Sequence, residues 1–156
     1  MQDSDITLLR AAIGIAASAR AHGNHPFGAL LADAQGTILL TAENTVVTAR
    51  DITGHAETNL VRLASQQLDS TVLAGCTLYT STEPCPMCAG AIYWAGIRRV
   101  VYGCSEALLY TLTAHTPEAD ALLLGCRDVF AHGKHPVEVR GPLLEDEAGV
   151  VHEGFW

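Results

Sequence analysis

Two short motifs hold the residues of this chain that could do metal chemistry. The first places Glu57 two residues after His55, and the second places Cys88 three residues after Cys85. One imidazole and two thiolates are zinc ligands, and three protein ligands leave the fourth tetrahedral position open for water. Structural zinc sites usually close all four positions, so the set predicts a catalytic Zn²⁺. Glu57 is then the acid and base that takes and returns the proton of a water molecule.

Each motif alone also has a more ordinary interpretation. A C-x-x-C pair is typical of half a structural zinc site or of a redox pair, and H-x-E alone is weak evidence. Together, about 30 residues apart and each at the start of a predicted helix, they favour a catalytic zinc. His132 and His135 form another spaced pair, but they lie in a Gly- and Pro-rich stretch where we expect exposed loop residues. The remaining cysteines are expected to be core thiols: Cys76, Cys104 and Cys126.

The spacing of the ligands predicts where they lie on their helices. Cys85 and Cys88 are three residues apart, so on a helix they share one face. Pro86 suits the first helical position, which makes Cys85 the cap and places both sulfurs at the positive end of the helix dipole. His55 and Glu57 can face one metal only if His55 stands at the helix entrance, before the regular helix begins.

Apolar periodicity, caps and breakers predict the elements that must position these residues. Helices are predicted over about Ser4 to Ala21, His55 to Gln67, Cys85 to Ala95 and Pro117 to Leu124. Strands are predicted over Phe27 to Ala32, Thr37 to Ala42, Cys76 to Thr80 and Arg99 to Tyr102, the first two as an antiparallel hairpin. Since the motif helices connect consecutive strands, we expect βαβ crossovers and an α/β fold with helices on both faces of a partly parallel sheet.

Composition and charge narrow the class of protein. The 156 residues suit one domain, with no run of apolar residues long enough to span a membrane and an acidic start unlike a secretory signal. Five cysteines, an odd number, fit free thiols in a reducing compartment, and we expect a cytoplasmic protein. The net charge is −8 and Lys134 is the only lysine, so nucleic-acid binding, which depends on neutralising phosphates, is not expected.

About half of the chain, from Phe27 to Tyr102, resembles the cytidine and deoxycytidylate deaminase superfamily. The resemblance rests on H-A-E at 55–57, E-P-C-P-M-C-A-G-A-I-Y-W-A at 83–95, P-F-G-A at 26–29 and Asn44, and it is greatest to bacterial guanine deaminases of this fold. It implies a three-layer α/β/α sandwich with a mixed sheet of roughly five strands, and a homodimer. It also implies a zinc-dependent enzyme that removes ammonia from an amino-bearing heterocycle.

The same resemblance implies roles for individual residues. His55, Cys85 and Cys88 would bind zinc, and Glu57 would shuttle protons. Asn44 and the backbone N–H of Ala56 would hydrogen-bond the base, and Phe27 and Trp94 would wall the pocket. The family also places a C-terminal tail near an active site, its own or a partner's. The aromatic end of residues 142–156, with Trp156 last, is expected to act in this way.

The sequence predicts the type of reaction more closely than it predicts the substrate. Guanine-type recognition needs an acidic acceptor, which Glu118 or Asp120 would supply, although acids near a predicted helix start are also common in solvent. Conversion of guanine to xanthine is the first candidate reaction. Guanosine, cytosine, a pterin or an aminotriazine could be deaminated by the same zinc chemistry. A tRNA adenosine deaminase and a non-enzymatic zinc-stabilised interaction domain are the two rivals. The acidic charge and the stretch at 105–112 favour a small-molecule substrate over tRNA.

Overall fold

A computed structural model describes residues 3–114, 116 and 120–156, which are built around one five-stranded mixed sheet of order β2-β1-β3-β4-β5. The strands are β1 Gly28–Ala32, β2 Ile38–Glu43, β3 Thr77–Thr82, β4 Arg99–Cys104 and β5 Glu138–Arg140. β1 runs antiparallel to both β2 and β3, whereas β3, β4 and β5 run parallel. The predicted hairpin and the predicted parallel crossover are both confirmed.

Helices cover both faces of the sheet. They are α1 Ser4–Ala21, α2 Ala56–Gln67, α3 Ser70–Ala74, α4 Pro86–Ala95, α5 Glu106–Thr113, α6 Cys126–Ala131 and α7 Glu145–Val150. α1 and α7 pack on one face, and α2, α4 and α6 share the core on the other. This is the three-layer α/β/α arrangement expected from the sequence.

Adjacent residues of the central strands enter different cores, because side chains alternate across a strand. Leu31 and Val100 lie in the core beneath α2 and α4. Leu30 and Val101 lie in the core beneath α1, and all four side chains are fully buried. Both faces of the central strands β1 and β4 are therefore covered by helices.

The elements that carry the two motifs agree closely with prediction, and α1 has the predicted bounds. The region after β4 differs. Residues 120–125 are not helical, so the helix predicted over Pro117 to Leu124 is wrong for its second half, and residues 117–119 lie outside the described part. The short elements α3, α5, α6, α7 and β5 were not predicted, because each offers too few residues for a clear apolar period.

A separate finding concerns membranes. Along the described parts of the chain, no helix combines the length and the apolar character needed to cross a bilayer.

Candidate active site

The metal-binding side chains meet where two helices begin. His55 is the N-cap of α2 and Cys85 is the N-cap of α4, both with extended backbone dihedrals. Pro86 is the first residue of α4, as predicted from its place beside Cys85. α4 follows β3 directly and leads into the parallel strand β4, so the site lies outside the carboxyl ends of parallel strands.

A close approach of backbone segments fixes His55 at the entrance of α2. A Cβ on Gly54 would lie 2.8 Å from Oγ1 of Thr45, so no larger side chain fits there without movement. The Asn59 amide donates to the carbonyl of Glu43 and to Oγ1 of Thr45, each at 2.9 Å. These contacts tie the loop before α2 to the end of β2 and hold the imidazole toward α4.

Three ligand atoms form a compact set that fits zinc. Nδ1 of His55 lies 3.5 Å from Sγ of Cys85 and 3.5 Å from Sγ of Cys88. The three ligand atoms all lie within 4.8 Å of one another. A tetrahedral zinc with Zn–S of about 2.3 Å and Zn–N of about 2.0 Å has an N···S edge of about 3.5 Å. The donor set and its spacing therefore suit a tetrahedral Zn²⁺.

Hydrogen bonding shifts the pKa values of the two cysteine thiols in opposite directions. A hydrogen bond from Cys88, joined by one from His55, lowers the pKa of Cys85 well below its usual range. The same contact with Cys85, together with burial, raises the pKa of Cys88. Cys85 is therefore the thiol that ionises more readily, and a bound zinc would hold both side chains as thiolates.

Glu57 lies beside the metal ligands and is buried, with 6% of its surface exposed. Its Oε1 lies 2.9 Å from the Thr80 hydroxyl, and it lines the same cavity as His55 and Cys85. Burial is the main cause that raises the pKa of Glu57, with the Cys85 thiolate adding to it. A carboxyl group with a raised pKa is suited to accept and return a proton near neutral pH.

A cavity of about 260 Å³ opens in front of these residues. Aromatic side chains of Phe27, Tyr110 and Trp156 line it, and Leu109 and Thr113 of α5 complete the apolar wall. Further polar groups at the wall belong to His25, Thr82, Glu83 and Asp120. This mixture of apolar wall and few polar groups is typical of a small-molecule site.

Glu83 positions the wall of this cavity through backbone contacts. Its Oε1 accepts a hydrogen bond from the N–H of Glu106, and its Oε2 accepts one from the N–H of Cys126, both at 3.1 Å. These are the first residues of α5 and α6. One carboxylate, two residues before the first thiolate ligand, therefore joins the metal site to both helices.

The predicted substrate-contact residues do not all lie at the cavity. Phe27, Asp120 and Trp156 line the cavity together with the metal ligands and Glu57. Asn44 and Ala56 are buried close behind and are not part of the lining. The backbone N–H of Asn44 donates to the Phe27 carbonyl at 3.1 Å.

The prediction that Trp94 walls the pocket does not fit the structure of this chain. The Trp94 side chain is 85% exposed and lies outside the cavity, because it points away from the sheet on the outer side of α4. Glu118 lies outside the described residues. The cavity residues missed from the sequence are His25, Thr82, Glu83 and the α5 side chains. Ser105 was the available signal for α5, since it caps that helix by accepting a hydrogen bond from the N–H of Leu108.

Comparison with known proteins agrees with this geometry. Residues 2–104 match the cytidine and deoxycytidylate deaminase zinc-binding region. The chain belongs to this deaminase family. It is therefore a zinc-dependent deaminase, and the predicted cofactor, enzyme class and fold are confirmed.

Three proteins similar to this deaminase differ in the substrates that their names give. A "Probable cytosine deaminase" of Schizosaccharomyces pombe is 44% identical over 156 residues, which cover all of this chain and 94% of that one. A guanine deaminase of Nitrosomonas europaea superimposes with a TM-score of 0.77 at 26% identity, over 93% of this chain and 80% of that one. A structure from a study of A-to-I editing by tRNA:A34 deaminases superimposes with a TM-score of 0.74 at 30% identity, over 94% of this chain and 99% of that one.

The chain's own residues account for the proton movements of a deamination. Bound zinc supplies a Lewis acid that makes a water molecule nucleophilic near neutral pH. Glu57 lines the same cavity, so its carboxyl group is placed to accept a proton there and to return it to a ring nitrogen or to a leaving amine. Thr80 orients the carboxyl group.

Proposed function

We propose that this deaminase acts on a free nucleobase, with conversion of guanine to xanthine and ammonia as the first candidate reaction. The observation that carries the proposal is the position of Trp156, which lines the same cavity as His55, Glu57 and Cys85. Trp156 thus forms part of the wall that a bound base would meet. A volume of about 260 Å³ is small for a ligand site and suits one base.

Polar groups at the cavity wall support a purine that carries an amino group. Asp120 lies at the wall, and a carboxylate there can accept hydrogen bonds from N1–H and from an amino group of guanine. Phe27 and Trp156 offer flat apolar surfaces beside it. These contacts are the basis for placing guanine first.

Cytosine is the second candidate, and a specific observation favours it. The alignment with the S. pombe protein, at 44% identity, covers the whole of this chain. A pyrimidine also needs less room than a purine. The same Glu57 chemistry would serve either ring.

Charge argues against a tRNA substrate. A nucleotide in RNA must be extruded into the pocket while its phosphates are held by cations. The chain has a net charge of −8 and only nine lysines and arginines in total. Arg10, Arg20, Arg99 and Arg140 are already engaged in hydrogen bonds within the protein.

An ammonia-release screen on the zinc-loaded protein tests the proposal. Guanine and cytosine are compared with guanosine, cytidine, adenine, pterins, aminotriazines and an anticodon stem-loop RNA, with Glu57→Gln as the inactive control. We expect a free base to have the largest kcat/KM, with guanine ahead of cytosine. Cytosine ahead of guanine selects the second candidate. Preference for the RNA or for a nucleoside overturns the proposal.

We also propose a homodimer in a reducing compartment such as the cytoplasm. Met87 and Trp94 lie seven residues apart on α4 and are 37% and 85% exposed, an apolar pair suited to contact with a second copy. None of the five cysteines forms a disulfide, in keeping with a reducing environment. Sedimentation equilibrium tests the first point, and a monomer at micromolar concentration would contradict it.

A further inference from the structure

The C-terminal clasp, which we define as residues 151–156, is held by one arginine of the first helix. Nη1 of Arg20 donates hydrogen bonds to the carbonyl of Val151 at 2.9 Å and to the carbonyl of Glu153 at 2.6 Å. The guanidinium also lies 5.5 Å from the centre of the Phe155 ring. Arg20 thus contacts the clasp at three of its six residues by two kinds of interaction.

Within the clasp, a buried histidine orients the final residue. Nε1 of Trp156 donates a hydrogen bond to Nδ1 of His152 at 3.0 Å. His152 is 3% exposed and packs edge-on against Phe27, with ring centres 5.4 Å apart. Burial lowers the pKa of His152 to about 4, so its imidazole is neutral near pH 7 and Nδ1 can accept the indole proton.

The rings of the clasp reach the cavity through His25. The centre of the His25 ring lies 5.9 Å from that of Phe155 and 5.3 Å from that of Trp156. His25 and Trp156 both line the cavity in front of the metal ligands. A displacement of the clasp would therefore remove one wall of the substrate cavity.

A second arginine of α1 provides a contrast. Arg10 pairs with Glu147 of α7 at 2.9 Å, but both side chains are about half exposed. Exposed ion pairs of this kind contribute little to stability. Arg10 also contacts α7 rather than the clasp, so it can be removed without releasing Trp156.

We propose that Arg20 is a positioning residue that holds the C-terminal clasp against the cavity, so that Trp156 forms its outer wall. The inference deepens the proposed function and rests on it for its kinetic consequence. The structural consequence needs no substrate. Loss of Arg20 frees the two carbonyls and the Phe155 ring, and Trp156 then becomes accessible to solvent.

Acrylamide quenching of Trp156 fluorescence tests the structural consequence. The chain has two tryptophans, and Trp94→Phe leaves Trp156 as the single reporter. In this background we expect Arg20→Ala to raise the quenching constant, Arg20→Lys to give an intermediate value and Arg10→Ala to leave it unchanged. Phe155→Leu, which leaves α1 intact, should also raise the quenching constant. This second variant keeps the test valid if Arg20→Ala does not fold.

Steady-state kinetics with the substrate found in the screen test the functional consequence. We expect Arg20→Ala to raise KM about tenfold, as for loss of a hydrogen bond to a charged group, with a smaller change in kcat and full zinc content. If Arg20→Ala has the same quenching constant and the same KM as Arg10→Ala, the inference is wrong. Quenching is measured without substrate, so an error in the proposed substrate leaves that result unaffected.

Discussion

The hydroxyl oxygen of Thr80 lies 2.9 Å from Oε1 of Glu57 and 3.0 Å from the carbonyl oxygen of Thr82. A hydroxyl has one proton to donate. When Glu57 is ionised, Thr80 can donate to it. When Glu57 holds a proton, Glu57 can donate to Thr80, and Thr80 can donate to the Thr82 carbonyl. Thr80 is therefore a partner for the carboxyl group in both of its protonation states.

Replacement of Glu57 by Gln should abolish turnover while the metal stays bound. The amide keeps the shape of the side chain but cannot take a proton, so we expect kcat to fall by about 10²–10⁴-fold. Ammonia release and zinc content by atomic absorption are the measurements. Glu138→Gln, at an exposed position on β5, should behave as the unchanged protein. Full activity of Glu57→Gln would instead show that a group other than Glu57 moves the proton.

Thr80→Val should slow the reaction without loss of zinc. Valine has nearly the same shape but cannot donate to Glu57, and a hydrogen bond to a charged group accounts for about a tenfold change in kcat. Thr80→Ser keeps the hydroxyl and should recover most of the activity. Equal kcat for the valine and serine variants would show that Thr80 acts through packing alone.

Asp120→Ala should affect guanine more than cytosine. If Asp120 accepts hydrogen bonds from a purine amino group, its loss should reduce kcat/KM for guanine by about tenfold or more. The comparison with cytosine is made on the same preparation. Asp128→Ala, on the exposed side of α6, is the control. Glu118→Ala is measured in parallel, since that residue is the other predicted acceptor. Equal losses for the two bases would place amino-group recognition elsewhere.

Removal of residues 154–156 should raise KM strongly or abolish activity without unfolding the protein. The deletion takes away Trp156, which lines the cavity, but leaves the sheet and the metal ligands in place. Kinetics, circular dichroism and zinc content are compared. Glu153→Gln changes a charge in the same segment and should have no effect. Kinetics unchanged by the deletion would exclude the tail from the active site.

Stability between pH 4 and pH 6.5 should depend on His152. Burial lowers the pKa of His152 from 6.5 to about 4, so in this window the unfolded chain binds a proton that the folded chain does not. The contribution of His152 to stability is complete above pH 6.5 and is lost as the pH falls toward 4. Between pH 7 and pH 5 the loss is about 2 kcal/mol.

His152→Asn provides the comparison for this pH dependence. Asparagine keeps an oxygen acceptor for Trp156 and does not titrate. Urea unfolding at pH 7 and pH 5 should therefore show a smaller decrease in the free energy of unfolding for the variant. Parallel decreases in both proteins would assign the pH dependence to other groups.

The metal centre could be predicted because its determinants are local. The i, i+3 spacing of Cys85 and Cys88, the proline between them and the helix starts all lie within a few residues of the ligands. Apolar patterning, caps and breakers likewise predict the elements from α1 to β4, apart from the short helix α3. Here local preference and tertiary packing favour the same structure.

The substrate wall could not be predicted because its determinants are distant in sequence. Trp156 lies at the cavity through contacts of its segment with Arg20, more than 130 residues earlier. α5 is short, and Thr113 is the only buried residue within it, so it has no clear apolar face. Trp94 was predicted at the cavity because it lies within the motif helix, but its side chain faces outward.

Glu83 attaches two helices to the region of the zinc ligands. Helices α5 and α6 are both attached through their first N–H groups to one carboxylate beside the zinc ligands. The segment between Ser105 and Cys126 can thus change in sequence while its two points of attachment, and the chemistry behind them, are kept. A chimaera that receives this segment from another deaminase would exchange selectivity and retain the catalytic machinery.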